Sequence, residues 1–179
     1  MSRVDQFYDR NTRGTPERRA SVFSFRLFYR VHSWACYGMA SIDPEGMDEF
    51  YSRDLRAAEL GAAAWKALHA SRYLEYDDAI RAVRDYVKSG PSDRSIQEMK
   101  KRAGARSIKI LFEGSASVDL VWTEGTIELE PLRHIIGDRW TLFENRETIK
   151  FTDTVSDEEL GTALLSELEF SRDGSYKGT

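Results

Sequence analysis

One cysteine and three histidines are scattered over 179 residues. Cys36 alone cannot close an internal disulfide or build a cysteine-rich metal site, and such a composition fits a reducing compartment. His32, His69 and His134 are not paired at metal-ligand spacing. The chain has no GxSxG, P-loop or GxGxxG motif. The serines and Cys36 lack a recognisable base, so nucleophilic catalysis has no support. No apolar run is long enough to cross a bilayer. The segment MSRVDQFYDRNTRGTPERR lacks the apolar region of a secretory signal. Together these absences predict a cytoplasmic protein with no catalytic residues, metal site or cofactor.

Apolar residues make up 41% of the chain and charged residues 31%, which is the balance of a globular domain. The length suits one domain with a sizeable core rather than two. The net charge of -4 is distributed in blocks of alternating sign. Residues 1–40 carry 7 Lys/Arg against 3 acids, and residues 41–80 carry 4 against 9. Residues 81–112 carry 9 against 3, and residues 113–172 carry 5 against 14. Such blocks either build separate positive and negative surfaces or simply solvate different faces.

Residues 1–20 are polar and arginine-rich and read as a flexible N-terminal arm. Residues 21–34, SVFSFRLFYRVHSW, are rich in aromatic and β-branched residues and predict a strand, with 36–42 as its hairpin partner. Asp43-Pro44-Glu45-Gly46 predicts a turn, with proline fixing φ and glycine permitting positive φ. Apolar residues at helical spacing predict helices over 54–72 and 77–88, and Ser89-Gly90-Pro91-Ser92 ends the second. A short basic helix follows over 93–103. Residues 107–114, 117–122 and 126–131 alternate with period two and predict strands, with Glu124-Gly125 turning between the last two. Residues 139–145 and 147–151 are shorter strand candidates, and a helix is expected over 157–171. The sum is an α+β fold: a single two-layer domain over 21–172, mostly antiparallel sheet with helices packed on it, and a flexible tail over 173–179.

One internal repeat organises this pattern. ELGAAAWKALHASR (59–72) and ELGTALLSELEFSR (159–172) share seven of fourteen ungapped positions. An amphipathic helix accounts for the leucines but not for Gly61 and Gly161, because glycine inside a helix costs about 1 kcal/mol relative to alanine. Its retention in both copies predicts a close backbone approach, with the sheet as the expected neighbour. Ser156 and Glu159 form a capping box. Arg56 replaces the serine in the first copy, so that helix is expected to start earlier, near Ser52 or Asp54.

These elements resemble the immunity proteins of contact-dependent growth inhibition systems, the CdiI type. The resemblance rests on FRLFYRVHSW, the two ELG…SR helices, MKKRAGARSIKILFEG followed by TIELEP, and WTLFENRETIKFTDTVSDEELG. It runs from about residue 22 to 172. It implies a protein that forms a one-to-one complex with the C-terminal toxin domain of a cognate CdiA effector, with no catalytic motif of its own. Toxins of this class include nucleases, transfer-RNA ribonucleases among them. Neither membrane contact nor direct nucleic-acid binding is implied.

A nuclease binds a polyanion through a basic cleft, so an inhibitor's acids are the candidate toxin-binding residues. Those are Asp43, Glu45, Asp48 and Glu49, then Glu124, Glu128 and Glu130, then Glu144, Glu147, Asp153, Asp157 and Glu158. A different class, a metal-dependent nuclease, would use Asp119 with Glu128 and Glu130, the latter two on one face of a strand. A third, an RNA-binding module, would use Arg94, Lys100, Lys101, Arg102, Arg106 and Lys109. The solvated-face reading outweighs both alternatives.

Overall fold

The computed structural model describes residues 17–36, 40–75, 77–81, 84, 91–144 and 146–174. The described chain enters as an antiparallel hairpin of β1 (Arg18–Ser24) and β2 (Phe28–Cys36). The sequence pattern predicts a single strand here. The structure turns it at Phe25-Arg26-Leu27, where the Phe25 amide donates to the Phe28 carbonyl at 2.9 Å. That turn contains no Gly, Pro, Asn or Asp, so composition does not mark it. Residues 18–20, expected in the arm, are strand; residues 1–16 and 175–179 lie outside the described residues.

β3 (Ala40–Ile42) and β4 (Asp48–Ser52) pair antiparallel with successive halves of β2. The predicted turn at Asp43–Gly46 separates them, closed by the Gly46 amide on the Asp43 carbonyl at 3.1 Å. Gly46 serves here by its size, and positive φ is not needed. A Cβ there would collide with the Ser33 hydroxyl and the Asp43 side chain. Helix α1 (Ala57–Ala70) starts at Ala57, not at Ser52 or Asp54. Arg56 offers no acceptor, but the Glu59 carboxylate accepts its amide at 2.9 Å and fixes the first turn. The helix stops before Arg72, because Arg72–Tyr73 form β5, parallel to the end of β2.

Residues 77–81 are helical as predicted, while 82–83 and 85–90, the rest of that expected helix and part of its stop, lie outside the described residues. Helix α2 (Pro91–Ala103) opens on Pro91, whose fixed φ suits a first helical position. Residues 107–114 are not the expected strand. They hold the short helix α3 (Ile108–Phe112), capped by Ser107, whose hydroxyl accepts the Ile110 amide at 3.2 Å. Adjacent Leu111 and Phe112 are both buried, a pattern that an alternating strand does not give.

β6 (Ala116–Thr123) and β7 (Thr126–Ile136) form the second long hairpin. Glu124 and Gly125 both have positive φ, 49° and 77°, as a two-residue turn between twisted strands requires. β8 (Arg139–Leu142) and β9 (Ile149–Thr152) pair with opposite ends of β7, and helix α4 (Asp157–Gly174) follows. The sheet runs β3-β2-β1-β6-β7-β8, with β4 and β5 beside β2 and β9 beside β7. All pairs but β2–β5 are antiparallel. The α+β class read from the sequence is the one observed.

Helices α1 and α4 pack together on one face of the sheet. Val22, Val31, Leu120, Ile127 and Leu129 from the strands meet Leu60, Leu68, Leu160, Leu164 and Leu168 from the helices, all essentially inaccessible. On the opposite face α2 and α3 close a smaller cluster of Phe25, Phe28, Met99, Leu111 and Phe112.

The repeat extends well beyond the two helices. The β1–β2 pair Ala20↔Ser33 has its counterpart in Val118↔Pro131 of β6–β7, each partner 98 residues further on. The pair Phe28↔Ser52 corresponds to Thr126↔Thr152, at offsets of 98 and 100 residues. The conserved serines do the same work in both halves. The Ser71 hydroxyl accepts the Arg19 amide at 2.9 Å and donates to the Trp34 carbonyl at 2.7 Å. The Ser171 hydroxyl accepts the Ser117 amide at 3.0 Å and donates to the Leu132 carbonyl at 2.5 Å. Each serine thereby pins its helix end between the two strands of its own hairpin. The glycines do not face the sheet, as expected from the sequence, but the first turn of the other helix. A Cβ on Gly61 would strike the Asp157 carbonyl, and one on Gly161 the Ala57 carbonyl. The two helices therefore cross about a local two-fold axis with backbone against backbone.

Candidate functional site

The candidate acids fall into two groups. In the first, the carboxylates are engaged within the fold. Asp43 is buried, bonded by the Arg72 guanidinium through Nε and Nη2 at 2.6 Å each, and also accepts the Glu45 amide at 3.0 Å. It has no place on an exposed docking surface. Exposed Glu45 joins the same arginine at 3.0 Å. Asp48 is held by Arg30 through two bonds of 2.7 and 2.9 Å. Glu49 accepts from Lys66 at 2.5 Å and from the Tyr51 hydroxyl at 2.6 Å, and both bonds hold its carboxyl below the usual range. Glu128 pairs with Lys150 at 2.8 Å across β7–β9.

The second group lies at one end of the molecule. Glu124 is exposed in the β6–β7 turn. The Asp153 amide donates to the Gly125 carbonyl at 2.8 Å, which brings the β9–α4 turn beside it. Asp157 and Glu158 are exposed in the first turn of α4, where the helix dipole favours acids. The predicted capping box is present: Ser156 Oγ accepts the Glu159 amide at 3.2 Å, and the Glu159 carboxylate accepts the Ser156 amide at 3.2 Å. Asp153 and Asp157 form no salt bridge with a described residue, and Glu158 lies within electrostatic reach of Arg56. Glu144 and Glu147 are exposed as well, beyond β8. The sequence alone does not separate the two groups, because the partners Arg30, Lys66, Arg72 and Lys150 stand 17 to 29 residues from their carboxylates.

The proposed carboxylate trio sits on the sheet face opposite α1 and α4, but it is not assembled as a trio. Asp119 and Glu130 are cross-strand neighbours. Trp34 Nε1 donates to Ser21 Oγ at 2.7 Å, and Ser21 donates to Asp119 Oδ1 at 2.5 Å. Burial pushes the Asp119 carboxyl up to about 6, against the pull of the Ser21 bond, and it also raises that of Glu130. Glu128 turns to Lys150 instead. Among the described residues, no group of three or more His, Cys, Asp or Glu is placed to hold a metal ion.

The basic segment is only partly available. Arg102 pairs with Glu98 at 2.7 Å and lies 4.3 Å over the Phe50 ring. Lys101, Arg106 and Lys109 are exposed, and Lys100 is half-buried. His32 lies within β2, fully buried, and burial holds its pKa well below the usual value. His69 is exposed, stacked on Trp65, with the Trp122 ring edge-on. Cys36 is buried, and its thiol is pushed up to about 11, so it stays protonated and unreactive at neutral pH. Among the described residues no helix is long and apolar enough to cross a membrane.

This architecture, two related hairpin–helix halves with a crossed helix pair on one sheet face, defines the class of protein. Residues 18–171 match the model for CdiI, the CDI immunity protein, and the chain belongs to that family. Its fold is shared by a protein of unknown function from Neisseria meningitidis, with a TM-score of 0.77 and 19% identity, covering 87% of this chain and 96% of that one. It is shared too by a chain of the CdiA-CT/CdiI toxin and immunity complex from Yersinia pseudotuberculosis. There the TM-score is 0.71 and the identity 21%, over 88% of this chain and 97% of that one. No match is found among the curated proteins.

Proposed function

We propose that this protein binds the C-terminal toxin domain of a cognate CdiA effector in the cytoplasm, one to one, and blocks a nuclease activity directed at RNA, transfer RNA included. Family membership over residues 18–171 carries the immunity reading. The structural relative from a toxin and immunity complex supports a CdiA C-terminal domain as the partner. The nuclease reading draws on charge: the carboxylates at the β6–β7 turn and the start of α4 suit a basic, polyanion-binding cleft. The inhibitor needs no chemistry of its own. A little free toxin is harmful, so affinity of order nanomolar or better is expected. A standard interface of roughly 800 Å² per partner supplies it if its centre is well packed.

Protection of cells expressing the cognate CdiA toxin domain, and binding of the purified pair, test the assignment. Asp153→Lys with Asp157→Lys removes two exposed acids without touching an internal ion pair. The double variant should slow association severalfold and flatten its salt dependence, leaving the fold intact. Glu128→Lys with Glu130→Lys is the companion variant. It also breaks the Lys150 pair, so its thermal stability must be checked. If both variants bind like the parent at every salt concentration, acidic docking is wrong although immunity stands. If the parent gives no protection, the assignment itself is lost.

A further inference from the structure

Three aromatic rings gather where the C-terminal half of α1 meets the start of β1 and the end of β6. Trp65 stacks on His69 with ring centroids 5.6 Å apart, and Trp122 stands edge-on to both, at 5.5 and 5.2 Å. Arg18 lies over the Trp122 ring at 5.5 Å and donates to the His69 carbonyl at 2.9 Å. His69 is exposed, and both indoles are half-buried against the core.

The fold does not require rings at this place. The repeat supplies the comparison, because the same positions recur at the other end of the β1–β6 pairing. Arg18 pairs with Trp122 across these strands, and the equivalent pair is Ala116 with Ser24. Trp65 and His69 of α1 are replaced by Leu165 and Glu169 in α4, and Leu165 packs against the same core as Trp65. One half meets this packing demand with an alanine, a serine, a leucine and an acid. The other half uses an arginine, two tryptophans and a histidine. Tryptophan and arginine are the residue types that carry binding energy at protein interfaces.

The border of the cluster indicates the partner's chemistry. Trp122 stands two residues before exposed Glu124 of the β6–β7 turn, and exposed Asp153 is tied to that turn through the Gly125 carbonyl. Gly61, one helical turn before Trp65, abuts the carbonyl of exposed Asp157. Of the cations nearby, Lys66 is paired with Glu49, Arg56 with Glu59, and Arg18 is held by Trp122 and His69. The charge around the rings is therefore net negative. Lysine and arginine side chains gain both from such carboxylates and from ring faces, so the complementary surface is a basic one. We propose that Trp65, His69 and Trp122 form the aromatic centre of the surface that binds the basic CdiA toxin domain, with Glu124, Asp153 and Asp157 at its rim. This rests on the immunity reading above and adds the residues that hold the complex together.

Rim charges act chiefly on association, and a packed centre acts chiefly on dissociation. Biosensor kinetics of the full chain with the purified CdiA C-terminal domain, over a range of salt, separate the two. Trp65→Leu with His69→Ala installs the leucine that the other half already accepts. It should speed dissociation about tenfold or more, with the association rate and its salt dependence close to those of the parent. Glu169→Ala, at the equivalent place in α4, should dissociate like the parent. If Trp65→Leu impairs folding, His69→Ala alone changes an exposed position and should still speed dissociation severalfold. The proposal is overturned if the parent binds and the folded variants dissociate at its rate, or if Glu169→Ala has as large an effect; the immunity reading then stands. If the parent itself does not bind the toxin domain, that reading is lost and this proposal with it.

Discussion

Replacing Gly161 by alanine isolates the one feature on which the repeat depends. In an ordinary solvent-facing helix the change stabilises by about 1 kcal/mol, because alanine is the better helix former. Here the added Cβ would lie inside the Ala57 carbonyl and against the Gly61 amide. Both are backbone groups of α1 and neither can rotate away. The helices must separate, which loosens Leu60, Leu160 and Leu164 against the sheet. Overpacking of this kind costs about 1–3 kcal/mol, and with rigid backbone on both sides the upper end applies. Subtracting the propensity gain leaves a net loss of about 2 kcal/mol, or roughly 4–8 °C in melting temperature for a chain of this size. Urea denaturation measures it, with exposed Thr162→Ala as the adjacent control, expected to stabilise by a few tenths of a kcal/mol. Gly161→Leu should cost more. Gly61→Ala presses on the same crossing, so the double variant should lose less than the sum of the singles. A stabilised Gly161→Ala protein, or strict additivity, would refute the backbone-on-backbone crossing.

Ser71→Ala and Ser171→Ala each strip a buried strand amide of its acceptor and a strand carbonyl of its donor. Each should cost about 1–3 kcal/mol by chemical denaturation, and the two should add because they share no partner. Arg72→Ala leaves Asp43 buried without its cation and should cost about 3 kcal/mol or more, whereas exposed Glu45→Ala should change stability by less than 1 kcal/mol. Asp119 holds its proton to about pH 6 in the folded chain but only to about 4 when unfolded. Its contribution to stability therefore falls as pH rises from about 4 to 6 and stays reduced above. Asp119→Asn should remove that slope and stabilise at pH 7 by about 1–3 kcal/mol, read from urea curves at both ends of the window.

The features legible in the sequence were those with local periodicity or strong punctuation. The 59–72 and 159–172 helices, the Glu124-Gly125 turn, the Asp43–Gly46 turn and the Ser156 capping box all follow from residues close together in the chain. The misreadings share a different cause. The β1–β2 turn hides in an apolar run, because Phe25 continues the strand composition while its backbone reverses. Ile108–Phe112 alternates like a strand, yet the Ser107 cap and the burial of two adjacent residues make it a helix. The sequence does not mark β4, because DEFYS is dominated by polar and charged residues and its place beside β2 is set by pairing at a distance. The candidate site suffered most. Whether a carboxylate is free or ion-paired depends on cations such as Arg72 and Lys150, 29 and 22 residues away from Asp43 and Glu128.

The duplication separates what the fold requires from what it leaves open. Both halves place a strand hairpin, a further paired strand and a helix in matching positions, so each position serves as a control for its counterpart. Where the two agree, at Gly61 and Gly161, Ser71 and Ser171, or Glu59 and Glu159, the residue meets a packing or capping demand common to both. Where they differ in charge, the scaffold is indifferent. Arg26 stands where the second half has Glu124, Arg53 where it has Asp153, and Ala57 and Ala58 where it has Asp157 and Glu158. The hairpin turns match in topology only, since Glu124 lies at positive φ and Arg26 does not, but the turn at Arg53 and Asp153 and the two helix starts carry a cation or alanines in one half and acids in the other. Asp153, Asp157 and Glu158 are consequently not needed to build that turn or to start the helix. A charged surface that the fold does not require, on a member of a family defined by immunity, is where contact with the toxin is best sought. The same reasoning ranks the Asp153 and Asp157 reversal above the Glu128 and Glu130 one, because Glu128 already has an internal partner that the reversal would break.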